Sequence, residues 1–241
     1  MSWRPGFGLD GGLVRLALIV VAGRRFWLLP VLPLLWLAFQ AGVVLIGASD
    51  EGFAPSSAQG TLIGVPLTLV AVFLGIRIIA GEIDGRSLEI AYTVPGGCER
   101  VWWAKLAASA LVLLASEALL ALATFAFFTP FPWSALYGAM QAACFYLVLA
   151  MGMATLFRSE AAGAMGIAAI LGLNGLLSGF GENQVRASPF WNPYVENLQE
   201  TDPAELFAWT LQNRVGVVLA IAAIVGLAFM RANRRERMLG S

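Results

Sequence analysis

The sequence predicts an all-α membrane protein: six transmembrane helices after an N-terminal interfacial helix, with both termini cytoplasmic. Three observations predict it. Of 241 residues, 59% are hydrophobic and only 12% charged, about half the charged share of a typical soluble domain. The apolar residues come in long runs, with a mean hydropathy of +0.77. The arginines sort almost entirely to one side of those runs. Together these exclude a soluble enzyme and a disordered scaffold.

The chain reads as one transmembrane domain, 1–241. Residues 1–25 hold Leu9–Val21, apolar but only about 13 residues long, followed by Arg24 and Arg25 where a signal peptide would need a small-residue cleavage site. This predicts a helix lying in the interface. Spans need about 20 mostly apolar residues. Six segments qualify: Phe26–Gly47, Gly60–Ala80, Ala104–Phe128, Ser134–Phe157, Ala161–Gly179 and Asn213–Met230.

Orientation follows from the basic residues in the connections. With a cytoplasmic N-terminus, thirteen of the 15 basic residues fall inside and only Arg186 and Arg214 outside. Seven acidic residues lie on each side and Glu117 within the bilayer, so the net charge of zero conceals about +6 inside and −5 outside. Most connections are short. The exceptions are a cytoplasmic segment, 81–103, and an external one, 180–212, whose Trp191, Tyr194, Phe207 and Trp209 suit either short interfacial helices or a solvated loop.

The composition also bounds the chemistry. There is no histidine, which removes Ser-His and Cys-His pairs and histidine metal sites. The two cysteines, Cys98 and Cys144, do not suggest a disulfide. No P-loop is present, and neither a catalytic nor a metal site is expected. No charge imbalance points to nucleic acid.

Residues 81–105 read GEIDGRSLEIAYTVPGGCERVWWAK. They predict a helix over Glu82–Tyr92, with Glu82 and Arg86 at i,i+4 spacing and Glu82, Arg86 and Glu89 on one polar face. Pro95-Gly96-Gly97 then breaks the chain. Trp102 and Trp103 mark the return to the membrane, with Lys105 snorkelling to the headgroups. The segment resembles the signature region of ABC-2 type transporter permeases: Glu82, Asp84, Leu88 and Glu89 fill its acidic and leucine positions, and Pro95 and Lys105 keep its ten-residue spacing. It departs from the pattern at Arg86, where glycine is usual, and at Cys98, where arginine is usual, with Arg100 two residues later.

The resemblance implies a type V exporter-like fold in the bacterial cytoplasmic membrane. It implies Glu82, Asp84, Arg86, Leu88, Glu89, Pro95, Arg100 and Lys105 as the ATPase-coupling residues. It further implies a separate ATPase subunit carrying ATP and Mg, no cofactor on this chain, and a second permease copy or homologue. A non-transporting assembly factor or sensor coupled to an ATPase is the alternative.

Within the spans, Glu117 is costly at membrane depth and reads as a pathway contact or an interhelical tie, as do Asn174 and Gln40. Gly172, Gly175 and Gly179 lie in a small-residue stretch suited to close helix packing.

Overall fold

The protein is described by a computed structural model that covers residues 11–47, 53–89, 97–177, 185–198 and 200–234. Pro95 and Gly179 lie outside the described residues. Among those described, secondary structure is entirely helical. Five helices are long and apolar enough to cross a membrane.

Helix α1, Gly11–Ala22, is about 18 Å long, too short to span. It lies against α5, Cys98–Phe127, with Ala17 packed on Ala104 and Ala108. The expected span over Phe26–Gly47 is not one helix. A 3₁₀ turn at Phe26–Leu28 and a run of turns precede α2, Leu34–Leu45, which has only 12 residues. Pro30 and Pro33 explain the break, because proline supplies no N–H and clashes with the preceding turn.

Helix α3 runs Pro55–Arg77 and contains a π-helical stretch, Ala58–Gly64. It is followed by the short α4, Ala80–Asp84. Next come α5, then α6, Trp133–Phe157, α7, Glu160–Leu177, and α8, Pro203–Ala232.

The core forms where α3 and α6 meet. At Gly75 a Cβ would stand 2.2 Å from the carbonyl oxygen of Leu147, so only glycine permits this approach. Within their most apolar stretches, 56% of both α3 and α6 is buried, against 11% of α7 and 22% of α8. The central pair is therefore enclosed by its own chain, while α7 and α8 present broad apolar faces outward.

Two boundaries differ from expectation. Helix α8 starts at Pro203, so Phe207 and Trp209 belong to a continuous 30-residue helix rather than to an external segment. Helix α5 starts at Cys98, which shortens the connection expected over 81–103.

Candidate functional site

Side chains at one end of the bundle tie seven helices together. Arg77 donates from Nη1 to the Val21 carbonyl at 2.9 Å, and its Nε lies 3.8 Å from Glu160 Oε2. The Glu160 amide donates to Asp84 Oδ2 at 2.9 Å, so Asp84 closes the start of α7, where a carboxylate is favoured by the helix dipole. Arg231 Nη2 donates to the Leu156 carbonyl at 3.1 Å, and Asn233 bonds both Cys98 and Glu99. Arg24, Arg25, Arg86, Arg100, Arg158 and Arg234 lie on the same connections, which makes this the basic end.

Its centre is a buried ion pair. Lys105 Nζ lies 2.7 Å from Glu82 Oε1 and donates to the Ile78 carbonyl at 2.9 Å. Trp102 Nε1 donates to Glu82 Oε2 at 3.1 Å. Lys105 is 2% exposed, Glu82 7% and Trp102 0%. Both charges therefore have partners, as burial demands.

This corrects three expectations. Lys105 does not snorkel outward, because a carboxylate and a carbonyl satisfy its ammonium within the protein. Trp102 is not an interfacial anchor, whereas Trp103, 47% exposed, faces outward. Glu82 does not share an exposed polar face or pair with Arg86. Helix α4 ends at Asp84, and Arg86 turns the chain with φ +53° before helical backbone resumes at Leu88. Asp84, Arg86, Glu89 and Arg100 are exposed around the buried pair, and Leu88 is 3% exposed.

At the opposite end, residues 185–195 form a fitted cap rather than a solvated loop. Trp191 is 1% exposed and donates from Nε1 to Thr210 Oγ1 at 3.2 Å. Its carbonyl accepts from Gln59 Nε2 at 2.7 Å. Asn213 Nδ2 donates to the Arg186 and Ser188 carbonyls, both at 2.8 Å. Asn192 Nδ2 reaches the Ser56 carbonyl at 2.8 Å, Ser188 Oγ reaches Asn174 Oδ1 at 3.1 Å, and Tyr194 bonds Ser134. The cap is thus fastened to α3, α6, α7 and α8.

Beneath the cap lies a cavity of about 640 Å³ between α2, the π-helical part of α3 and α7. That volume falls in the range of small-molecule pockets. Trp36, Val65, Leu69, Leu171 and Phe190 supply apolar walls, while Ser56, Thr61, Thr68, Asn174, Ser188 and Asn192 place polar groups among them. The Trp36 indole donates to the Thr61 carbonyl at 2.8 Å, so one wall is pinned to the π-helical stretch. π-Helical turns occur often at functional sites.

The predicted intramembrane residues separate. Asn174 and Gly175 line this cavity. Gln40 lies on α2 outside its lining, and a side chain at Gly172 would meet open space rather than a packed neighbour. Glu117 is buried on α5 with Oε1 lacking a hydrogen-bond partner among the described residues. Sequence reasoning missed Trp36, Thr68, Ser188 and Asn192. Gly60 and Gly64 ahead of Pro66 were the available signal that α3 is irregular beside them.

No protein-family model, curated protein or solved structure matches the chain. What the geometry defines is a multi-span helical membrane protein, with a locked basic end and a capped cavity at the other.

Proposed function

We propose that the chain is the membrane-spanning permease subunit of an ATP-driven ABC transporter of ABC-2 type. Its basic end faces the cytoplasm, where a separate ATPase subunit carrying ATP and Mg docks. The observation that carries this reading is the meeting of Glu82 with Lys105 at 2.7 Å. They stand near the two ends of the segment resembling the ABC-2 signature, 23 residues apart, yet form one buried unit. That unit fixes the base of a turn on which Asp84, Arg86 and Glu89 are exposed. Force applied to the turn has a stiff route into α3 and α5, because Lys105, near the start of α5, holds both Glu82 on α4 and the Ile78 carbonyl at the end of α3.

In this reading residues 26–47 cross the membrane in two pieces, giving six crossings and both termini inside. Two permeases work as a pair, with the open apolar faces of α7 and α8 available to lipid or to the second copy. Export by alternating access is the direction the resemblance implies, in a bacterial cytoplasmic membrane.

Purification from native membranes in mild detergent tests the proposal. An ABC ATPase is expected to co-purify, and its hydrolysis rate should change when reconstituted with the chain. Reversing two exposed charges, Arg86→Glu with Glu89→Arg, should abolish that association while leaving the fold intact. Absence of any ATPase would falsify the reading. An ATPase that binds without driving transport would replace it with a sensor or assembly role.

A further inference from the structure

We propose that the capped cavity is a binding site for an uncharged, lipid-like molecule that carries a hydroxyl or carbonyl group. Among the described residues, the lining contains no aspartate, glutamate, arginine or lysine. A charged ligand there would lose its hydration with no counter-charge to replace it. A neutral one loses far less.

The arrangement along α3 sets the ligand's shape. Ser56 and Asn192 stand near the cap, and Thr68 lies 12 residues further along α3 than Ser56. That separation is somewhat less than the ~18 Å of a regular α-helix, because the π-helical stretch between the two is shorter per residue. Between them Val65, Leu69, Leu171 and Trp36 offer apolar surface. The cleft therefore suits an elongated body with polar contacts spaced along it. Leu69 is 55% exposed, so the cleft opens at that level onto a face that meets lipid, and a lipid-like molecule can enter from the side.

Thr68 gives the second, independent observation. It is 2% exposed, it lines the cavity, and its hydroxyl has no hydrogen-bond partner among the described residues. Elsewhere in these helices the buried hydroxyls of Ser109, Ser116 and Thr155 each donate to the carbonyl four residues earlier. Thr68 does not. A buried hydroxyl left unpaired is costly, and a rotation of the Thr68 side chain toward the cavity it lines would let a ligand hydroxyl or carbonyl recover that loss. Gly60 completes the site: it lines the cavity, and a Cβ there would meet nothing within 4 Å. A larger residue at Gly60 fills ligand space without displacing protein.

The proposal deepens the transporter reading by naming a cargo class. Its test needs no ATPase, so each can fail while the other stands. The purified full chain in nanodiscs is photolabelled with a diazirine-bearing monoacylglycerol, and adducts are mapped by mass spectrometry. Labelling is expected on residues 56–69 and 185–195. Unlabelled monooctanoylglycerol should compete, whereas octanoate and octyltrimethylammonium should not. Gly60→Leu should lower labelling at the site at least ten-fold while adducts on the outward faces of α7 and α8 persist, which shows the fold retained. Thr68→Val, equal in shape, should weaken competition about five-fold, the net worth of one hydrogen bond. Uniform labelling insensitive to Gly60→Leu, or equal competition by the charged probes, overturns the proposal.

Discussion

Two side chains decide how the basic end holds together. Glu82 and Lys105 are both almost fully buried, and neither has water to fall back on. Removing one partner strands the other, which costs about 3–5 kcal/mol in such pairs. Lys105→Met should therefore lower thermal stability in detergent by about that amount, read by tryptophan fluorescence. Glu82→Gln added to Lys105→Met should recover most of the loss, since glutamine still accepts from Trp102 without bringing a charge. If the double variant unfolds as early as the single one, the pair is not the origin of the effect. Arg86 raises the opposite expectation. Its φ of +53° is the left-handed region that costs a side-chain-bearing residue about 1–2 kcal/mol. Arg86→Gly should stabilise the chain by about 1 kcal/mol in the same melt. The position where this sequence departs from the glycine of the resembled pattern is thus one where the backbone favours glycine. The residue types of the segment were readable from the sequence. Their inward aim was not, because a lysine beside two tryptophans fits an interfacial anchor as well as a buried partner.

Long apolar helices are legible from composition alone, and all five long helices fall on predicted spans. Breaks and caps are less so. Hydropathy averages over Pro30 and Pro33 and reads 26–47 as one span, although the prolines mark where α2 is cut short. The cap was invisible for another reason: its order comes from single bonds to distant helices, such as Asn213 to the Arg186 and Ser188 carbonyls. No local pattern encodes a partner 25 residues away. Those two bonds should govern the cap as a unit. Asn213→Ala leaves both carbonyls without this donor, a loss of about 1–3 kcal/mol. Amide exchange over residues 185–195 should accelerate by roughly ten- to hundred-fold as local opening becomes easier. Exchange in the α3–α6 core should stay unchanged. Acceleration across all helices would instead mean that the cap supports the whole fold.

At the scale of the whole molecule, the charge sorting read from the sequence meets the folded chain coherently. The connections rich in arginine gather at one end, through ties among residues 77, 84, 99, 160, 231 and 233. The two basic residues assigned to the other side, Arg186 and Arg214, lie at the other end. Arg186 stacks over the Trp209 ring at 3.2 Å, and Arg214 Nη1 donates to Gln141 at 3.1 Å. Since basic connections are retained in the cytoplasm, this separation predicts an orientation that can be measured directly. In a chain carrying Cys98→Ser and Cys144→Ala, Glu196→Cys places a thiol at an exposed position of the cap end. Arg234→Cys places one at an exposed position of the basic end. A membrane-impermeant maleimide applied to intact cells should label the first at once, and the second only after permeabilisation. Equal labelling of both before permeabilisation would mean that the two ends are not on opposite sides of the membrane. Labelling in the reverse order would place the basic end outside, leaving the exposed turn at Arg86 out of reach of any cytoplasmic ATPase.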